Sequence, residues 1–137
     1  MTITELGVRV ERDVPLTTRD GTILRSDVYR PAAAGRYPVL LGRTCYGKGS
    51  WGGWIEPERT AAEGWVVVIN DTRGNFASDG EQRPFFHDAH DGYDTVEWCA
   101  AQEWSNGRVC TKPGAEEPNM PTLPLLHSCA AHHSTVS

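Results

Sequence analysis

The order of signals along the chain predicts an α/β fold, an antiparallel hairpin leading into a parallel sheet with crossover helices. Three observations carry that expectation. Residues 7–17 and 22–29 alternate apolar and polar side chains on either side of an Asp-Gly turn, which reads as a hairpin. Two short, continuous apolar runs, Tyr37-Pro38-Val39-Leu40-Leu41 and Trp65-Val66-Val67-Val68-Ile69-Asn70-Asp71, suit strands buried on both faces. Helical patterns follow each of those runs, and that alternation builds a parallel sheet through crossovers.

Each element has its own justification. In the first strand Val8, Val10, Val14 and Leu16 alternate with Arg9, Glu11, Asp13 and Pro15, with a slip of phase near Asp13. Arg19-Asp20-Gly21 supplies the turn, because Asp-Gly accepts positive φ. Pro31 to Gly35 is a loop of small residues. Residues 42–54, rich in Gly and Trp, read as a loop. Residues 57–63 form a short helix with Pro in its first turn and Gly64 beyond its end. Residues 72–87 are a long charged loop. Residues 88–103 form the best helix, with Ala89, Tyr93, Val96 and Ala100 on its apolar face and Asp88, Asp91 and Asp94 where the helix dipole favours acids. Arg108-Val109-Cys110 begins a further strand.

Composition narrows the class. The chain has 137 residues, enough for one small domain with a real core. Its net charge of −5 argues against bulk electrostatic binding of nucleic acid or an anionic membrane. No apolar run approaches the roughly 18 residues of a membrane span. Met1-Thr2-Ile3-Thr4-Glu5 has no secretory character, so a cytoplasmic protein with four reduced thiols (Cys45, Cys99, Cys110, Cys129) is expected. All 12 aromatic residues lie at or before Trp104, and residues 110–137 hold four of the nine prolines and three of the five histidines. The two stretches are therefore different kinds of sequence.

Four constellations are candidates for chemistry. Gly42-Arg43-Thr44-Cys45-Tyr46-Gly47-Lys48-Gly49 fits the GxxxxGK of a phosphate loop, but Gly49 stands where a metal-binding hydroxyl belongs and Trp51 and Trp54 follow in place of an opening helix. A glycine-rich connection is the stronger reading. His87, His90, Asp91 and Asp94 have spacing that can share a helix face, yet helix-dipole placement already accounts for the acids. No metal or cofactor is expected, and His127, His132 and His133 lie in unpatterned sequence. Ser50, Ser78 and Ser105 each have the later glycine of a Gly-x-Ser-x-Gly elbow (Gly52, Gly80, Gly107), but Lys48, Phe76 and Glu103 stand where the earlier one belongs. Finally, the charged segment 71–81 follows the strongest strand, where α/β proteins place functional groups. A structural loop in which Arg73 pairs with a carboxylate is the favoured reading there.

Asp71-Thr72-Arg73-Gly74, with Ser78 and Gly80 downstream, resembles the signature loop of the cocaine esterase / Xaa-Pro dipeptidyl-peptidase-like family of α/β-hydrolases. Arg19 to Pro31 resembles that family's opening hairpin, and Pro38 to Lys48 its next strand and loop. Asp91 to Trp98 and Trp104 to Val109 resemble its helix and the turn into its nucleophile strand. The agreement spans residues 7–109. The resemblance implies a Ser-His-Asp hydrolase acting on acyl esters or amides, with small ester or peptide-like substrates in full-length relatives. It implies that Tyr46 donates to the oxyanion, and that Asp71, Arg73, Gly74, Ser78 and Gly80 form a structural signature loop. Such a donor is worth about 3 kcal/mol.

The likeness stops at Val109. The family continues into a Gly-x-Ser-Tyr-x-Gly elbow, and this sequence reads Cys110-Thr111-Lys112-Pro113-Gly114. The family's Asp and His come later still. Residues 1–109 are therefore expected to be the N-terminal part of an α/β-hydrolase domain, cut short before the elbow. Residues 110–137 are expected to be a divergent, disordered tail arising from a frameshift or truncation. Such a chain is expected to be inactive, with a sheet edge left unpaired. The alternative is a nucleotide-binding or non-catalytic interaction module using Gly42 to Gly49. The oligomeric state is not legible.

Overall fold

The computed structural model of the chain describes residues 2–49, 56–81 and 88–112, with the backbone alone at residues 88 and 112. Within them lie strands β1 (Thr2–Ile3), β2 (Val8–Thr17), β3 (Ile23–Pro31), β4 (Tyr37–Thr44), β5 (Val66–Asp71) and β6 (Ser105–Lys112), and helices α1 (Pro57–Ala62) and α2 (Asp88–Ala101). The strands form one mixed sheet in the order β1-β2-β3-β5-β4-β6. β2, β3 and β5 pair antiparallel, whereas β4 runs parallel to both β5 and β6. This is the expected hairpin leading into a parallel sheet. β1, which the sequence reading did not separate from its surroundings, adds two residues beside Arg9 and Val10.

The apolar run of β5 explains itself in this setting. All six of its residues are buried. Val66 and Val68 point into a cluster with Val28, Val39, Leu41, Cys99, Ala100, Trp104 and Val109, beneath α2. Val67 and Ile69 point the other way, into a cluster with Val8, Val10, Tyr29 and Ala61, beneath α1. The period-two alternation of a strand therefore feeds two cores, and no position in the run can be polar until Asn70. Trp98 and Trp104 close the α2 side edge to face, 6.0 Å between ring centroids.

The phase slip at Asp13 is a β-bulge: the β2–β3 register shifts between Glu11 and Val14, and Asp13 has φ of 54°. Of the apolar face expected for α2, Ala100 is buried and Val96 packs against the core, but the other two positions face outward. Ala89 is exposed and Tyr93 is 52% exposed. The buried positions are Asp91, Thr95, Cys99 and Ala100, so the inward stripe begins with a carboxylate and a hydroxyl. The helix is turned because Asp91 has a buried cationic partner. β6 continues to Lys112, past Val109, and pairs with β4 from Tyr37↔Ser105 to Gly42↔Lys112. Among the described residues β6 is itself the outer strand of the sheet. The stretch expected to be a tail lies outside the described residues from position 113 on. Cys99 is a free thiol buried in the cluster beneath α2. Among the described residues no helix is long and apolar enough to cross a membrane.

Candidate active site

β4 and β5 end side by side, with Thr44 in register with Asp71. The loops that leave these ends bring together the residues that the sequence singles out. The Thr72 N–H donates to the Thr44 carbonyl (3.0 Å), joining the two loops at their base. Carboxyl ends of adjacent parallel strands are where open α/β sheets place their ligands.

The first loop presents Tyr46. Its N–H donates to Thr44 Oγ1 at 2.9 Å, Gly47 follows with φ of 100°, and the Lys48 N–H donates to Asp71 Oδ1 at 2.8 Å. The backbone on both sides of the phenol is therefore fixed, while the Tyr46 side chain is 62% exposed. Phe76, from the second loop, lies against Gly47: a Cβ built on that glycine would stand 3.2 Å from the ring. Phe76 itself is 71% exposed and holds φ of 49°, a conformation that costs a non-glycine residue about 1–2 kcal/mol. Two exposed aromatic rings thus flank the mouth of the loop pair.

Lys48 is not available to a phosphate. Its Nζ lies 2.6 Å from Asp13 Oδ1, 2.9 Å from Asp71 Oδ2 and 3.9 Å from Asp27 Oδ1. Burial pushes the ammonium toward neutrality, but the hydrogen bonds with Asp13 and Asp71 outweigh it and hold its pKa above the ordinary lysine value. A phosphate here would meet those carboxylates. The sequence reading placed Lys48 in a candidate phosphate loop and missed this cluster, whose one legible sign was the slip at Asp13.

The loop from Asp71 to Gly80 is tied into the fold at the positions the sequence singles out. Asp71 takes Lys48 by two groups and accepts the Ala77 N–H at 3.3 Å. Ser78 donates to the Asp71 carbonyl and accepts the Arg25 N–H at 2.8 Å, tying the loop to β3. The Gly74 N–H donates to the Asp79 carbonyl (2.9 Å), with φ of 75° at the glycine. Gly80 has φ of 95°, and a Cβ there would lie 2.8 Å from Arg73 Cγ. Arg73 reaches Asp91 through Nε and Nη2, Asp20 at 2.8 Å and the Thr22 hydroxyl at 2.8 Å. These hydrogen bonds, Asp91 first, raise the guanidinium pKa further and hold the Asp20 carboxyl far below the usual range.

The other candidates disperse. Asp91 belongs to Arg73, and Asp94 to Arg19 at 2.8 Å, so the spacing 87, 90, 91, 94 does not converge; His87 lies outside the described residues. Ser105 is buried at the start of β6, where its Oγ accepts the Gly107 N–H at 3.0 Å. Ser50, His127, His132 and His133 lie outside the described residues.

A mixed sheet with a flanking helix on each face, carrying its conspicuous loops at the ends of β4 and β5, is the N-terminal part of an α/β-hydrolase fold. Residues 20–112 match the family X-Pro dipeptidyl-peptidase (S15 family). The chain belongs to that family. It is 43% identical over 107 residues to the cocaine esterase of Rhodococcus sp. (strain MB1 Bresler), covering 73% of this chain and 18% of that enzyme. A CocE/NonD family hydrolase from Staphylococcus aureus superposes with a TM-score of 0.67 at 26% identity, covering 81% of this chain and 27% of the other. An aminopeptidase from a marine sediment Thaumarchaeota archaeon shares the fold, with a TM-score of 0.65 at 22% identity, covering 81% and 22%. The chain therefore spans under a fifth of the curated relative and about a quarter of these solved chains.

Proposed function

We propose that the described residues build the oxyanion side of a serine-hydrolase site acting on small acyl esters or peptide-like amides, with Tyr46 as the donor. One observation carries this reading: an exposed phenol on a backbone fixed at both ends, at the carboxyl end of β4. Membership in a family of esterases and peptidases supports it. A phenol O–H aimed at the oxygen of a tetrahedral intermediate gains strength as charge develops there, so it lowers the barrier more than it tightens substrate binding.

The 137-residue polypeptide by itself is inactive in this account. No serine in its sequence stands in Gly-x-Ser-x-Gly, and the Ser78 hydroxyl is committed to Asp71 and Arg25. Without a nucleophile there is no oxyanion to stabilise.

The donor is tested in a chimera in which residues 20–109 replace the matching segment of the Rhodococcus esterase. Tyr46→Phe should lower kcat about 10²–10³-fold with KM little changed. An unchanged kcat excludes Tyr46 as the donor.

A further inference from the structure

The Lys48 ammonium is mostly buried, with 11% of its side chain exposed, and it faces carboxylates from three strands: Asp71 at the end of β5, Asp27 in β3 and Asp13 in β2. Asp71 alone would balance its charge. Asp13 joins because of the bulge. Arg12 and Asp13 occupy the register shift opposite Asp27, and φ of 54° turns the Asp13 N–H onto Asp27 Oδ1 (3.1 Å) and its carboxylate onto Lys48 (2.6 Å). Arg12 supplies a second cation, 2.9 Å from Asp27 Oδ2 and 3.1 Å from the Tyr29 hydroxyl. Bulges re-aim side chains, and backbone strain of this kind persists only where the surroundings enforce it. The consequence falls on the Tyr46 loop. Thr44 Oγ1 holds the Tyr46 N–H, Gly47 makes the left-handed turn, and Lys48 is held by both its N–H and its Nζ on one carboxylate.

We propose that Lys48 is the positioning residue of the Tyr46 phenol, held by a charged clamp that runs through Asp71 and Asp27 to the bulge at Asp13. The proposal rests on Tyr46 being the oxyanion donor. A donor must stand where the oxyanion develops, and displacement of about 1 Å costs on the order of 100-fold in rate. An exposed ring on a free loop would not hold that position.

The test uses the whole chain labelled with 3-fluorotyrosine. It has four tyrosines, so Tyr46→Phe identifies the Tyr46 fluorine signal. Lys48→Met should shift and broaden that signal and cut amide-exchange protection at Tyr46 and Lys48 about tenfold or more, the ratio matching a lost charge-assisted hydrogen bond. Lys48→Arg should preserve both. Asp13→Asn, at a side chain 56% exposed, should give a smaller change of the same sign in a folded protein, and it decides the matter if Lys48→Met does not fold. Asp94→Asn, which strikes the separate pair with Arg19, should leave the Tyr46 signal in place. A Tyr46 signal and protection that ignore both Lys48→Met and Asp13→Asn overturn the clamp. In the chimera, Lys48→Met should lower kcat with KM little changed. If Tyr46→Phe leaves the chimera's kcat unchanged while the fluorine signal still answers to Lys48, the donor reading fails and the clamp stands as a structural device only.

Discussion

Arg73 and Asp91 form a two-pronged pair across 18 residues of chain, Nε to Oδ2 at 2.9 Å and Nη2 to Oδ1 at 2.8 Å. Their side chains are 11% and 2% exposed, so Asp91 depends on Arg73 to balance its charge. Arg73→Ala strands a carboxylate inside the α2 contact and should cost about 3–5 kcal/mol in urea unfolding. Arg73→Lys keeps the charge, loses the fork and should fall between the two. A loss under about 1 kcal/mol for Arg73→Ala would show that the pair does not hold the helix.

Gly80 faces the same arginine. Its φ of 95° and the 2.8 Å approach to Arg73 Cγ leave no place for a methyl group. Gly80→Ala should destabilise the chain by at least about 1–2 kcal/mol. Thermal unfolding reads this directly, and Gly80→Ala combined with Arg73→Ala should cost less than the sum of the two.

The acid limb of stability follows from Asp94. The hydrogen bond from the Arg19 side chain, the largest influence, holds its pKa below the ordinary carboxylate value. A carboxylate with a depressed folded pKa contributes in full above its unfolded value, about 3.9, and loses the contribution as pH falls through the folded pKa. The Tm difference between the parent and Arg19→Ala should therefore be level from neutral pH to about 5 and shrink below about 4. A difference that grows on acidification would contradict the assignment.

Phe76 gives the opposite sign. Its ring is largely exposed while its backbone sits at φ of 49°. Asparagine tolerates that region, so Phe76→Asn should leave stability unchanged or raise it by up to about 1 kcal/mol in the same unfolding assay. A clear loss would mean that the contact with Gly47 outweighs the strain.

Much of the sheet was legible because its causes are local. The two-sided run of β5, the Asp-Gly turn and even the slip at Asp13 are written in consecutive residues. The face of α2 was not legible: its inward stripe depends on Arg73 reaching Asp91 from a loop 18 residues away. A carboxylate among acids at a helix start reads as a dipole effect until its partner is known. Tyr46 and the signature loop could be named by resemblance. The Lys48 cluster could not, because Asp13, Asp27 and Asp71 converge only once three strands are in register. The sequence of the Lys48 loop already favoured a plain glycine-rich connection over a phosphate loop, and the carboxylates around Lys48 weigh the same way.

The central claim is that this polypeptide carries the oxyanion side of a hydrolase site without a nucleophile. The most direct measurement is hydrolysis of p-nitrophenyl acetate by the purified 137-residue chain, followed with and without a serine-directed fluorophosphonate. The account predicts turnover no faster than a Tyr46→Phe control and no covalent label. Turnover that the fluorophosphonate abolishes, with a labelled serine in the chain, would contradict it.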